Sequence, residues 1–210
     1  MQSKEFEAFL EERTKEIYKN PNSMLKEYDE FLASNDIYRS KDPMTFRKNI
    51  KGHYELCEEI LNFYHKAKLD NEKISFLEDL YAIGYDKDKL VELILQMFES
   101  NEKTDTLWDY GDLLYRIRRY KYLPQYLKII ENKSYGINRQ MVVLLVGKSK
   151  KPEVIPVLKR LLDDKDVYGH ALEALANFKG DEIQEIMERY TDHNVTWIRN
   201  KAKRYLKKHW

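Results

Sequence analysis

The chain has 210 residues, a formal net charge of +1 and 42% hydrophobic residues, which is enough apolar content to fill a core and excludes wholesale disorder. Charged residues make up 35%, whereas glycine and proline number only 7 and 5, a composition typical of helical proteins. A single cysteine excludes an internal disulfide framework, and no apolar run approaches the roughly 18 residues needed to span a bilayer. From this composition we expect an all-α protein. Because the N-terminus has no signal-peptide core, we expect it in the cytoplasm and without membrane contact.

The first hundred residues predict helices separated by short breaks. Apolar residues at helical spacing predict a first helix over Ser3–Lys19. Asn22 or Ser23 is expected to cap a second helix. Asp42-Pro43 is a strong start signal, because a capping carboxylate precedes a proline at the first helical position. The helix after it is expected to run to about residue 68, with Gly52 as a candidate interruption.

The same half carries two further helix signals and one candidate metal pair. A helix over Asn71–Ile83 is followed by Gly84, where a left-handed C-terminal residue is wanted, and Asp86 can cap the next helix. His53 and Cys57 lie one helical turn apart, as metal ligands can. Since the chain has no other cysteine, we interpret Cys57 as a small buried hydrophobe and predict no metal site.

From Thr104 onward the sequence repeats itself. Val142–Asp163 aligns without a gap on Ala171–Asp192 at an offset of 29 residues, and partial copies align at an offset of 31 on either side. Each unit predicts a first helix, a tight break and a second helix. A two-helix unit cannot bury its own apolar stripe, so neighbouring units must stack into one core. The predicted second helices and the final first helix are Leu123–Asn132, Pro152–Leu162, Asp181–Tyr190 and Thr196–Lys208.

The repeats resemble a known repeat family. Asp163–Leu175, an acidic turn followed by an Ala-Leu-Glu-Ala-Leu packing motif, resembles the short HEAT repeat, and so does Trp197–Leu206. The resemblance covers mainly residues 104–210 and is closest to the compact HEAT repeats also found in phycobilin lyases. It implies a right-handed α-α superhelix of about 11–12 helices. An irregular helical half, 1–103, and the repeats, 104–210, would then form a single α-solenoid domain.

Two arginines occupy the position that is usually arginine in such repeats. They are Arg139 and Arg199, and the middle copy has Tyr168 instead. The resemblance implies that these arginines bond acidic side chains or carbonyls of neighbouring turns, here Asp163 or Asp192. A planar guanidinium suits such fixed bonding between repeats.

No catalytic motif is found in the sequence. It has no glycine-rich phosphate loop, no Cys-x-x-Cys and no His-Glu-x-x-His, and we predict no cofactor. We therefore predict a non-enzymatic module that binds a protein partner on a concave surface, as an adaptor or as an inhibitor or immunity-type protein. That surface is expected to be lined by side chains of the second helices that miss the apolar stripe, namely Gln125, Lys128, Lys159, Arg160, Glu188 and Arg189.

Nucleic-acid binding is the alternative. Residues 101–210 carry 22 Lys and Arg against 15 Asp and Glu, so this half is basic. Arginines are interleaved with tyrosines in the arginine-tyrosine run, Tyr115–Tyr122, which suits phosphate contact and base stacking. A core of Tyr115 and Ile117 below solvated arginines also explains this run. The last helix is also basic, and cations favour a helix C-terminus. The candidate residues in these two segments are Arg116, Arg118, Arg119, Lys203 and Arg204.

A more specific form of the alternative is base excision. HEAT-like DNA glycosylases specific for alkylated bases use tryptophans and an aspartate, and this sequence offers Trp108, Asp109, Asp112 and Trp197 as loose counterparts. A tryptophan near a repeat start also suits plain packing. Tetrapyrrole chemistry, by analogy with bilin lyases, is a third possibility that only the repeat resemblance suggests.

Overall fold

The computed structural model describes residues 19–39, 42–100 and 106–209, and every regular element in these ranges is helical. The expectation of an all-α protein is confirmed. The superhelix of the HEAT type and the single-domain organisation stay predictions. The predicted first helix falls, apart from Lys19, on residues that are not described. Within the described ranges, no helix combines the length and apolar character needed to cross a membrane.

The described residues divide into two compact units, one up to Glu92 and one from Leu93 onward. In chain order the helices of the first half are α1 (Leu25–Ser34), α2 (Pro43–Ile50), α3 (Cys57–Lys66), α4 (Asp70–Ile83) and α5 (Lys87–Glu99).

The predicted caps at Asp42, Gly84 and Asp86 are confirmed, whereas the cap predicted at Asn22 or Ser23 is wrong, because the N-cap residue of α1 is Met24. The carboxylate of Asp42 accepts hydrogen bonds from the backbone N–H groups of Met44 and Thr45, both at 3.1 Å, and so fixes the start of α2. Gly84 ends α4 in the left-handed region with φ of 103°. Asp86 accepts a bond from the Asp88 N–H at 2.8 Å and caps α5.

The single long helix predicted after Asp42 is wrong, and the candidate interruption at Gly52 is confirmed. α2 ends at Ile50, Gly52 takes a φ of 88°, and α3 begins only at Cys57 after a short 3-10 turn. A positive φ favours glycine and cannot continue a right-handed helix. The N–H of Gly52 donates to the carbonyl of Ile83 at 3.2 Å. The break therefore lets α2 and α3 pack separately against α4.

Tyr28 is the centre of the first unit. Its ring is fully buried and lies edge-on to Phe63 and Phe76, with ring centroids 5.1 and 4.6 Å away. Its hydroxyl donates to Asp79 at 2.8 Å, and the same carboxylate accepts from Arg39 at 3.0 Å. Burial, together with the neighbouring charge of Asp79, raises the pKa of Tyr28 well above its ordinary value.

The second unit contains the repeats. After the end of α5 come α6 (Leu107–Ile117), α7 (Leu123–Glu131), α8 (Gln140–Lys148), α9 (Ile155–Arg160), α10 (Tyr168–Leu175), α11 (Asp181–Arg189) and α12 (Thr196–His209). The first helices α6, α8, α10 and α12 pack against one another in that order, and each second helix packs on the first helix that follows it. The predicted second helix over residues 152–162 is shorter than expected, because 3-10 turns flank α9 on both sides.

Small residues allow the first helices to approach closely. A Cβ added to Gly147 on α8 would lie 2.5 Å from the Cβ of Ala174 on α10, closer than real Cβ contacts come. A Cβ on Gly169 of α10 would lie 2.5 Å from the indole of Trp197 on α12. The contacts join like ends of the helices, so the four first helices run parallel. One edge of this layer carries their N-terminal ends and the other their C-terminal ends.

Candidate functional site

Arg139 is a structural residue. It is fully buried at the start of α8 and donates to the carbonyls of Ile130 and Gly136, both at 2.9 Å. Its guanidinium also bonds the carboxylate of Asp164 at 3.0 Å and lies 3.7 Å from Asp166. The predicted bonding between repeats is confirmed, but the acidic partner is Asp164 rather than the predicted neighbour in the same turn.

Arg199 makes the carbonyl bonds expected of it and no bond to the predicted aspartate. It is half-buried, and its guanidinium donates to the carbonyls of His193 and Asn194 at 2.6 and 3.3 Å. Asp192 instead lies 3.9 Å from the Lys203 amine in an exposed pair. The two equivalent arginines therefore differ in kind, one buried among acids and the other bound to a turn near the surface.

Two predicted cations of the second helices join successive repeats. Arg160 on α9 pairs with Glu131 on α7 at 2.5 Å. Lys159 on α9 bonds Glu182 on α11. These pairs give the second-helix surface charges of both signs. Exposed pairs add little stability, typically under about 1 kcal/mol, so their main effect is on the local surface potential.

The remaining residues predicted to line the second-helix surface are dispersed. Gln125 and Lys128 line a small pocket of about 130 Å³ within the second unit, beside Phe98 and Tyr135. Arg189 is the last residue of α11, and its side chain is exposed. The structure does not bring these side chains together with those of the arginine-tyrosine run.

The arginine-tyrosine run ends α6. Arg116 pairs with Asp112 one turn earlier at 2.9 Å. Arg118 takes the left-handed conformation at the helix end, with φ of 58°, and its guanidinium lies 5.3 Å from the ring of Tyr115. Arg119 is exposed, and its carbonyl accepts a bond from Tyr126. The run thus combines a helix end with local bonding and exposed charge.

Exposed apolar side chains mark the other candidate surface. Three large hydrophobic side chains of the described second unit are exposed: Trp108 at 36%, Ile137 at 57% and Trp197 at 44%. Trp108 lies at the N-terminal end of α6, Ile137 directly before α8, and Trp197 at the N-terminal end of α12. With His170 at the same end of α10, these residues form what we call the aromatic edge.

Hydrogen bonds fix the aromatic edge. The indole N–H of Trp108 donates to the side-chain oxygen of Gln140 at 3.4 Å, a long bond, and the amide of Gln140 donates to the carbonyl of Asp166 at 2.9 Å. These bonds link α6, α8 and the turn before α10. The rings of His170 and Trp197 have centroids 5.7 Å apart, which extends the row to α12.

His170 is partly buried at the aromatic edge. Burial lowers the pKa of His170, against a smaller opposing effect of Glu173, and so disfavours the charged ring. The ring of His193 lies between those of Tyr168 and Tyr190, each with its centroid 5.7 Å away.

Sequence reasoning singled out Trp108 and Trp197 but missed Ile137 and His170. One signal was available, because Ile137 lies two repeat periods before Trp197 and so occupies the equivalent position. An exposed apolar residue at equivalent positions of two copies indicates a surface that the repeats share. His170 has no such signal, since only the stacking of α10 against α12 brings it beside Trp197.

The residues matched to the glycosylases lie on α6 and α12, and base excision stays a prediction. Asp112 is paired with Arg116, and the Trp108 indole bonds Gln140. Trp197 lies on a different helix, α12, where it covers Gly169.

The described residues contain no cluster of three or more side chains that could hold a metal ion. His53 bonds Glu55 at 2.8 Å, and Cys57 is buried.

Comparison with protein-family models, curated proteins and solved structures found no match. The resemblance to HEAT repeats therefore rests on the residues quoted for it and stays a prediction.

Proposed function

We propose that the second unit is a non-enzymatic binding module and that its aromatic edge holds a protein partner. One observation carries the proposal: the exposed large hydrophobic side chains of the described second unit, Trp108, Ile137 and Trp197, all occur at the same end of the first helices. Exposed apolar residues scattered singly need no explanation, whereas a shared edge is typical of an interaction surface.

The residue types suit a protein interface. Tryptophan is among the residues most enriched at binding hot spots, where truncation costs about 2 kcal/mol or more. Helices packed at about 8–10 Å spacing would spread the row from α6 to α12 over roughly 25–30 Å. That span matches the width of an ordinary protein–protein contact patch of about 800 Å² per partner.

The charges beside the edge favour a protein over a nucleic acid. Asp166 accompanies the central part of the row, and Arg199 lies near its end, so both signs occur. A nucleic acid would require cations that follow the phosphates, because neutralised phosphates supply most of the affinity. Nucleic-acid binding stays the alternative, and the experiment below separates the two.

Affinity capture with matched variants tests the proposal. Trp108→Ser and Ile137→Ser alter the edge, and Tyr38→Ser is the control, since Tyr38 is 55% exposed in the first unit. We expect the wild type and Tyr38→Ser to capture the same proteins in equal amounts. With Trp108→Ser the captured amount should fall by about 30-fold, which corresponds to a loss of about 2 kcal/mol of binding free energy. Circular dichroism checks that each variant is folded. Capture that is unchanged by both edge variants, or that disappears on nuclease treatment, would refute the proposal.

A further inference from the structure

The C-terminal ends of three first helices surround a pocket of about 180 Å³, at the edge of the layer opposite the aromatic edge. Lys148 is the last residue of α8, Asn177 follows α10, and Lys208 lies in the last turn of α12. We call this the basic pocket. The polar lining that matters for the inference consists of Lys148, Glu173, Asn177, Lys201, Arg204 and Lys208.

Positive charge dominates the basic pocket. Its lining contains four Lys or Arg side chains and one carboxylate, that of Glu173, which bonds Lys201 at 2.5 Å. Lys148 donates to the neutral side-chain oxygen of Asn177 at 3.2 Å and so keeps its charge uncompensated. Neither Arg204 nor Lys208 forms an ion pair with a residue that the structure describes. Three cations are thus left over around one small volume.

The negative C-terminal ends of the helix dipoles offset part of this positive charge but not all of it. Each helix C-terminus carries about −0.5 elementary charge, so three of them offset about half of the three surplus cations. The end of α10 is moreover already capped, since the Asn177 amide donates to the carbonyls of Ala174 and Glu173 at 2.9 and 3.4 Å. Those carbonyls already accept hydrogen bonds and do not require the lysines as donors. The pocket therefore stays positive after the helix ends are counted.

The surplus positive charge also acts on a neighbouring histidine. His209 also lines the pocket. Desolvation and the positive charges of Lys179 and Lys208 lower its pKa. A protonated ring is thus disfavoured at neutral pH, as expected beside surplus positive charge.

We infer that the basic pocket binds a phosphomonoester group. A phosphomonoester carries about −1.5 to −2 charges at pH 7 and three strong acceptor oxygens, which matches three surplus cations better than a carboxylate with one charge does. The planar guanidinium of Arg204 can bond two of those oxygens, and the amines of Lys148 and Lys208 act as mobile point charges. Asn177 and Glu173 hold Lys148 and Lys201 in position. The group can belong to a small metabolite or to a phosphorylated protein side chain.

Calorimetric titration with O-phosphoserine tests the inference, using the full chain in a low-salt buffer without phosphate. Lys208→Met removes a charge that lines the pocket. Lys207→Met is the matched control, because it removes the same charge from the adjacent exposed residue of α12, outside the pocket lining. We expect saturable binding to the wild type, at least a tenfold loss with Lys208→Met or Arg204→Met, and less than a twofold change with Lys207→Met.

Two further probes identify the source of the phosphate. Inorganic phosphate and a peptide containing phosphoserine are titrated in the same way. Tighter binding of the peptide than of phosphoserine assigns the pocket to phosphorylated proteins, and equal binding assigns it to small phosphomonoesters. Equal losses with Lys207→Met and Lys208→Met would reveal unspecific attraction and overturn the inference, as would the absence of saturation. The variants leave the aromatic edge unaltered, so this result is independent of the proposed function.

Discussion

Replacing Arg139 by methionine removes a guanidinium that joins three parts of the second unit. Its three bonds, at 2.9, 2.9 and 3.0 Å, reach two carbonyls and the buried carboxylate of Asp164. Removing one partner of a buried ion pair costs about 3–5 kcal/mol, because the other charge stays buried. Asp164 retains 8% exposure and a bond from the N–H of Asp166 at 3.1 Å. We therefore expect the lower end of that range, about 3 kcal/mol.

Arg199→Met is the matched control for Arg139→Met, since the two arginines occupy equivalent positions in the repeat. Arg199 is half-buried and bonds backbone carbonyls in a surface turn, where water can replace it. Its loss is expected to cost about 1 kcal/mol or less. The pair thus compares one side chain at one repeat position in two environments.

Urea unfolding followed by tryptophan fluorescence measures both variants. All three tryptophans of the chain lie after residue 93, so the signal reports on the second unit alone. With a slope of about 1.5 kcal/mol per molar urea, the expected midpoint shifts are about 2 M for Arg139→Met and below about 0.7 M for Arg199→Met. The double variant Arg139→Met/Asp164→Leu should recover part of the loss, because it removes the unpaired buried carboxylate but leaves the carbonyls of Ile130 and Gly136 without their donor. Equal shifts for the two arginines would refute the reasoning.

Three further predictions concern packing, pH and a buried hydroxyl. Gly147→Ala should lower the stability of the second unit by about 1–2 kcal/mol, because overpacking against Ala174 outweighs the gain in helix propensity. Gly111→Ala, whose nearest contact would be 3.4 Å, should be neutral or stabilising in the same urea assay. Burial raises the pKa of Asp164, but bonds from a backbone N–H and from a guanidinium outweigh burial and lower it. The ionised carboxylate therefore stabilises the fold above about pH 4, and this stabilisation is lost as the pH falls further. The difference in the free energy of unfolding between wild type and Asp164→Asn should shrink over the same pH range. Tyr28→Phe leaves a buried carboxylate short of one donor and should cost about 1–3 kcal/mol in the first unit, measured by circular dichroism.

Local signals in the sequence predicted local structure well. Asp42 and Gly84 show why: a cap and a left-handed helix end depend on the chemistry of one or two neighbouring residues. Gly52 shows the limit of such signals. Glycine is tolerated within a helix, and only the packing of α2 and α3 against α4 decides that the chain breaks there.

Contacts between repeats were harder to predict. The repeat alignment identified Arg139 as a bonding residue, but which aspartate it reaches depends on how the turn before α10 is folded. The basic pocket shows the same limit. The last helix was recognised as basic, whereas Lys148 and Asn177 joined it only because parallel first helices bring their C-terminal ends together. The sequence predicts which residues are charged, and the stacking order decides which of them meet.

Photo-crosslinking most directly tests the claim that the aromatic edge binds a protein. A photoreactive amino acid replaces Ile137 on the edge in one protein and Arg160 on the second-helix surface in another, since both side chains are exposed. The account predicts a nuclease-resistant protein adduct from position 137 and none from position 160. An adduct from position 160 alone, or an adduct to nucleic acid from position 137, would contradict it.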